Sequence, residues 1–449
     1  MRLHGSCLSQ PLPRNYTTME PPQDTTPAPA YISTSKCDET LTFLQDSAKA
    51  VSIPLSYLLA LVPTSTVDTY TLIFHTGTGG VSSSSITAPP AELIERYAIP
   101  ATTPAHLRGP VSVITSPHSG LGLAEAYSTT LLLPILNFYA VDYEKHAVTD
   151  PNAIKSIAQD AIPAGKSTII LLSGDTLISE LLNELPGGKR PTIIPIPTGT
   201  GNGLASSLYN PSSSLDTLIA NSLRALLHGS VRPLPGFTVT FSPGALLLDR
   251  PIPAQTLKGI VVTSWAFHAS LVADANTPQI LSSSSGTEKF KLAAQQNLSP
   301  PLHAYRGTIS ILRPGRADWE EITDTDGQGH FYLVVTGVSN FEPAFRISPA
   351  AENGADGILR IVYFGVGDVR GAEGVMEVME AVYDSGRHVS MPGVRYEEVD
   401  AVRIHVKEEE ERWRRICVDG AVVTLEKEGW VEVRRHEGWA DVVCESRVG

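Results

Sequence analysis

The chain has 449 residues, 42% of them hydrophobic, which at about 150 residues per domain allows two or three domains with cores of their own. Its 34 Lys and Arg against 47 Asp and Glu leave a formal net charge of −13, which speaks against a non-specific phosphate-neutralising surface while leaving room for a local basic cleft, and no nucleic-acid partner is expected. Cys7, Cys37, Cys417 and Cys444 are too few and too far apart to staple such a chain, no apolar run approaches the length of a bilayer span, and the N-terminus has no apolar signal core, so the expected address is the cytoplasm.

Residues 1–40 are rich in Pro, Thr, Gln and Ser and poor in aliphatics, a composition that predicts a disordered tail. Residues 41–105 form a small N-terminal module, with a core segment at Ile53–Val62, a strand at Tyr70–Phe74 and a Gly/Ser-rich loop over 77–85. Over 106–232 buried strands alternate with helical stretches: strands at Val111–Ile114, Ser167–Leu172 and Thr192–Ile196, helices at Leu123–Phe138, Asn152–Ala161 and Leu177–Leu185, and a further helix opening at Leu204. Such βα units predict a doubly wound α/β domain with a parallel sheet, and ligands of these sheets bind at the carboxyl ends of the strands. Over 233–436 short strands dominate, at Phe237–Phe241, Gly259–Thr263, Gly307–Leu312, His330–Val335 and Leu359–Tyr363, with helical insertions at 287–298 and 374–384. This half reads as a β-rich antiparallel sandwich. The charged run Lys407–Arg412 reads as a solvated loop or hairpin, and 437–449 as a tail.

Three turns fall at the ends of the parallel strands. In Pro197-Thr-Gly-Thr-Gly-Asn-Gly-Leu-Ala205, Gly199, Gly201 and Gly203 allow backbone N–H groups to approach an anion, with the positive end of the following helix behind them. The bland alternative is an ordinary Gly-rich strand-to-helix turn. In Ser173-Gly-Asp-Thr176, Asp175 is either a cap for the helix at Leu177 or a functional carboxylate at the same edge, and Glu180 lies on the helix. Ser116-Pro-His-Ser-Gly120 ends an earlier strand in the same manner.

The blocks SPHSGLGLA (116–124), SGDTLISELLN (173–183) and PTGTGNGLA (197–205), in this order and spacing, resemble the catalytic domain of the diacylglycerol kinase and sphingosine kinase superfamily. Thr263-Ser-Trp-Ala-Phe-His-Ala-Ser-Leu-Val-Ala-Asp274 looks like the opening of that family's lipid-binding domain. Ser348-Pro-Ala-Ala with Asp356-Gly-Ile-Leu359, and Ile416-Cys-Val-Asp-Gly420, resemble its later strand entry and closing turn. The resemblance implies an α/β nucleotide-binding domain followed by a lipid-binding sandwich that returns to the nucleotide cleft at its C-terminal end. It implies ATP and Mg²⁺ as cofactors, a lipid as acceptor, and peripheral contact with a membrane.

By the same resemblance Asp175 is the general base. Ser116, Pro117, His118, Ser173, Gly174, Thr176, Glu180, Gly199, Thr200, Gly201, Asn202, Asp419 and Gly420 line the nucleotide, with Asp419 as metal ligand. His268, Asp274 and Asn276 face the lipid. Positioning and charge neutralisation dominate phosphoryl transfer, which suits a kit of backbone donors and carboxylates. Six departures are visible: Thr176 stands for the second Gly of Gly-Asp-Gly, Ala421 for the Glu of Asp-Gly-Glu, Ser116 for an Asn, Lys291 for an Arg, Val141-Asp142 before His146-Ala147 lack the family's nucleotide-side Thr, and Asn276 stands for the carboxylate that meets the lipid amine in the sphingosine branch. The expected function is phosphorylation of a sphingoid base or related lipid. The alternatives are a catalytically degraded lipid- or nucleotide-binding relative, a diacylglycerol kinase, or an NAD kinase.

Overall fold

The computed structural model describes residues 31–444 except 35–38, 46–48, 65, 77–80, 100–101, 118, 121, 151–152, 162–166, 188–189, 210–213, 285, 323–327 and 352–353. The chain divides into two units, one of Met1–Phe74 with Ser82–Ile99 and one of His75–Val81 with Pro100–Gly449. In the first, strands Tyr31–Thr34, Glu39–Gln45 and Lys49–Pro54 form an antiparallel sheet. A second sheet holds Leu58–Pro63, Thr69–His75 and Val81–Thr87. Leu41, Phe43, Leu58, Leu61, Leu72, Leu93 and Tyr97 share one core. Two expectations change here. Residues 31–34 and 39–40 of the expected tail are strand, held by backbone pairing of Tyr31 with Thr42 and Ile32 with Leu41, a bond set that composition does not report. Residues 81–85 of the expected loop also belong to a strand, in which Ser84 and Ile86 alternate inward.

In the second unit the strands Thr192–Pro197, Thr168–Ser173, Val111–Thr115 and Tyr143–Ala147 lie side by side in that order, all parallel. The apolar, largely β-branched runs of the first three are buried, as strands covered on both faces require, whereas Tyr143–Ala147 at the edge is polar and largely exposed. Helices Ala124–Tyr127 and Leu133–Phe138 are joined by a π-helical turn at Ser128–Leu132, and helix Asp175–Glu184 follows the Thr168–Ser173 strand.

Trp430–Cys444 is the strand that joins the halves. It runs parallel to Thr192–Ile193 and antiparallel to Ser230–Phe241 and Ala401–Val406, so a single ten-stranded sheet passes through both expected domains. The separate α/β and sandwich domains are therefore a mixed α/β core continuous with antiparallel sheet, and residues 437–444 are strand rather than tail. The strand escaped the sequence pattern because its apolar alternation breaks at Arg434–Gly438, where Gly438 has φ +115° and the partner's register shifts between Leu234 and Gly236.

An eight-stranded antiparallel sheet faces it, in which Val262–Ala266, His330–Thr336 and Leu359–Gly365 lie side by side in that order. Phe237, Val239, Ile309, Ile311, Val402, Ile404, Val431 and Val433 pack from one sheet against Trp265, Leu333, Val335, Ile361 and Ile416 of the other. That alternation at period two builds the sandwich. Helices Phe267–Ala275, Glu288–Asn297 and Gly371–Tyr383 are the insertions. The run Lys407–Arg412 is not wholly solvated, since the Glu408 side chain is only 6% exposed. Among the described residues, no helix is long and apolar enough to cross a membrane.

Candidate active site

The three strand-end turns meet through their glycines. Gly120, at φ +56°, lies against the backbone of Thr198 and Gly199. A Cβ on Gly174 would sit 3.2 Å from Gly199 Cα and 3.6 Å from Ser119 Oγ, and one on Gly199 would enter the backbone of Gly174. Backbone rests on backbone at these positions, so no side chain fits. Asn202 holds the last turn. It adopts the left-handed conformation that Asn tolerates, and its amide accepts from Gly199 N–H at 2.8 Å and donates to Gly199 C=O at 2.7 Å.

Asp175 opens helix Asp175–Glu184, whose N-cap, Gly174, offers no side-chain acceptor. Its carboxylate does not cap its own helix. Oδ2 accepts from Gly203 N–H at 2.6 Å and Oδ1 from Leu204 N–H at 3.0 Å, at the start of helix Gly203–Leu208. Burial pushes Asp175 up to about 6, against the pull of those two N–H groups. The expectation that this second helix presents its N-terminus to an anion is thereby corrected, because Asp175 itself is the anion there. The donors left in the cradle are the N–H groups of Thr200 and Gly201, which have no acceptor among the described residues.

Asp419 and Gly420 reach the same place. Asp419, 3% exposed with φ +47°, accepts from Ile260, Val261 and Val262 N–H at 2.8, 3.0 and 2.7 Å. Burial raises its carboxyl to about 6, partly opposed by these donors, and the charge of Asp175 adds to the rise. Three of its roughly four lone-pair sites are thus committed to backbone, which disfavours the metal-ligand role. Gly420, at φ +92°, lies against Thr176, whose hydroxyl would clash with any Cβ there. The two substituted turns therefore touch.

Ser116 and Pro117 lie half-buried on the first turn, and Ser116 N–H donates to Leu172 C=O at 3.1 Å. His118 lies outside the described residues. Ser173 is buried, its hydroxyl donating to Gly174 C=O. Glu180 reaches solvent on the next turn of the helix, and partial desolvation beside the protein, with the neighbouring Glu184, raises its carboxyl.

The three expected lipid-side residues separate. His268 accepts or donates through Nδ1 to Ser264 Oγ at 2.8 Å, packs on Tyr332 and Phe341, and is held neutral by burial, down to about 4. Asp274 is bound by Arg415 at 2.7 Å, Asn297 at 2.9 Å and Arg412 at 3.4 Å. Asn276 is exposed and accepts from Lys289 at 2.7 Å. Only His268 is tied to the turns, through Phe341.

The connection runs through residues that the sequence did not single out. Ser207 Oγ donates to Asn340 C=O at 3.1 Å and accepts from Asn340 N–H at 2.9 Å, and Cβ atoms on Gly203 and Gly201 would lie 2.9 Å from the Asn340 carbonyl and 3.3 Å from that of Phe341. Nothing in the spacing of Ser207 and Asn340, 133 residues apart, signals this contact.

Parts of the chain are similar to known proteins. Residues 110–235 match the diacylglycerol kinase catalytic domain family. Human sphingosine kinase 2 is 26% identical over 211 residues, 44% of this chain and 30% of that protein, so the match spans under a third of the relative. Among solved structures, a putative diacylglycerol kinase from Bacillus anthracis superposes with a TM-score of 0.49 at 16% identity, covering 75% of this chain and 98% of the other. An NAD kinase from Archaeoglobus fulgidus in complex with ATP gives 0.36 at 10% identity, covering 75% and 94%. On its catalytic-domain match over residues 110–235 and its partial match to sphingosine kinase 2, the chain is similar to the diacylglycerol kinase and sphingosine kinase superfamily.

Proposed function

We propose that the protein is an ATP-dependent lipid kinase whose acceptor is the hydroxyl of a sphingoid base or related lipid. The observation that carries this reading is the Asp175 carboxylate, held at the meeting point of three strand-end turns by two N–H groups and facing no cation among the described residues. A carboxyl near 6 is ionised at neutral pH and basic enough to take a proton from an alcohol as phosphoryl transfer proceeds. The glycines let the backbones of the three turns meet, and the N–H groups of Thr200 and Gly201, without acceptors among the described residues, fit the phosphates of ATP. ATP supplies the phosphoryl group when bound. The N–H groups of Thr200 and Gly201 neutralise phosphate charge, Asn202 keeps them aimed, and Asp175 receives the hydroxyl proton.

Among the described residues no group of three or more His, Cys, Asp or Glu side chains could hold a metal, and Asp419 is turned to backbone. The residues do not fit a protein-built Mg²⁺ cage. Mg²⁺ keeps waters and substrate oxygens readily, so it belongs with the nucleotide phosphates.

A lipid acceptor is supported by the aromatic wall beside the cradle. Phe341 packs on His268 at 5.7 Å between ring centroids and on Phe345 at 5.9 Å, and Phe345 meets Tyr383 at 5.1 Å. Tyr383 is 52% and Met376 45% exposed on one helix, apolar surface suited to a membrane where such an acceptor resides. A second reading, a binding relative without turnover, is favoured by the contact of Thr176 with Gly420 beside Ala421.

Radiolabelled ATP offered with long-chain bases, ceramide, diacylglycerol and NAD separates the readings. Label in a lipid is expected. Label in none, with ATP binding intact by calorimetry, supports the second reading, and label in NAD overturns the lipid assignment.

A further inference from the structure

A cavity of about 850 Å³ lies among the segments Gln296–Gly307, Gln328–His330 and Glu408–Trp413, none of which carries the turns described above. Its volume is that of a small-molecule site. Glu408 lines it, with a side chain only 6% exposed. Oε1 of Glu408 accepts from Arg306 N–H at 2.7 Å and from His303 Nε2 at 3.1 Å, whereas Oε2 accepts no hydrogen bond among the described residues. A carboxylate taken this far out of water calls for a cation; among the described residues its one ion-pair partner is His303, charged only when protonated, and Arg306 and Arg412, which also line the cavity, do not pair with it.

The walls narrow the choice of cation. His303 stacks on Trp413 with ring centroids 3.9 Å apart and 11° between planes, and the Arg412 guanidinium lies 4.1 Å from the Trp413 centroid. Groups so close must occupy opposite faces of the indole, so the ring already accepts one cation by its π-face. Tyr305 meets Trp413 edge-on at 5.5 Å. Pro301, Leu302 and Ala304 add apolar surface. One free carboxylate oxygen offers a single acceptor, which suits an ammonium group and not the two-point fork of a guanidinium. We propose that this cavity is a second binding site, for a protonated primary or secondary amine carried on an apolar or aromatic body, with Glu408 as its counter-ion.

The cavity is connected to helix Phe267–Ala275. Arg412 and Asn297, both in its wall, hold Asp274, and the Tyr305 hydroxyl donates to Ser270 at 2.7 Å. His268, on the same helix, packs on Phe341 beside the cradle. An occupant is thus placed to be felt along one helix, but its binding stands independently of the kinase reading.

The test is calorimetry on the full chain with phenethylamine, the neutral isostere phenethyl alcohol and the anion phenylacetate. The amine should bind at one site, and the alcohol and the acid should bind at least about tenfold more weakly. Glu408→Gln should weaken the amine by a similar factor and leave the alcohol unchanged. Equal affinity for amine and alcohol on the unaltered protein, amine affinity unchanged by Glu408→Gln, or no binding of the amine would each overturn the proposal. The comparison of ligands on the native chain decides even where the variant fails to fold.

Discussion

The strand-end turn at Ser173–Thr176 and the end of helix Phe267–Ala275 each carry a substantially buried aspartate, and the two are held in opposite ways. Asp274 is surrounded by side-chain donors, two arginines and an asparagine, which fix its direction. Asp175 has only the N–H groups of Gly203 and Leu204, dipoles that orient the carboxylate without supplying a full positive charge. Burial therefore raises Asp175 to about 6. A carboxylate locked into ion pairs is a structural tie, and one held by backbone dipoles in a raised range is free to exchange a proton. Neighbouring sequence does not show which aspartate is tied down, since Arg412 and Arg415 lie 138 and 141 residues from Asp274.

The sharpest way to break the comparison is Asp175→Asn. It should lower phosphoryl transfer by about a thousandfold or more, roughly 4 kcal/mol of barrier, while circular dichroism shows the fold retained. A loss below tenfold would deny Asp175 the role of base. Asp274→Ala should do the reverse. Removing the carboxylate leaves Arg415 and Arg412 without their partner, at a cost of about 3 kcal/mol in denaturant unfolding, with the rate of the folded fraction changed far less than in Asp175→Asn. A smaller effect is expected for Thr176→Gly with Ala421→Glu. If the chain is a working enzyme built around its substitutions, the rate changes by no more than about tenfold, ~1.4 kcal/mol. A gain of about a hundredfold would mark it as a degraded relative.

Much of the arrangement was legible before the structure. The strands at 111–115, 168–173 and 192–197 follow from short β-branched apolar runs bounded by Gly and Pro, and the turns after them from their glycines. The long partner strand Trp430–Cys444 was not legible, because its bulge interrupts the alternation on which a strand is recognised. Asp419 illustrates the other limit. Its motif placed it near the site, but only the fold shows that its oxygens are spent on the N–H groups of Ile260, Val261 and Val262, which have no side-chain identity for a sequence to reveal. The same holds for Gly199 and Asn202. Their residue types announced a tight turn, whereas the contact with Gly174, which brings two turns together, depends on packing between separate strands.

The most direct test of Asp175 as the base is the pH dependence of kcat/KM for transfer from ATP to the lipid acceptor identified by the labelling assay. The ionised carboxylate accepts the proton, so the rate should be full above about pH 7 and fall about tenfold per unit once pH drops below the value near 6 set by burial. Asp175→Asn should leave a residual rate without that limb. A profile that stays flat through pH 6, or a limb of the same midpoint retained in Asp175→Asn, would contradict the account.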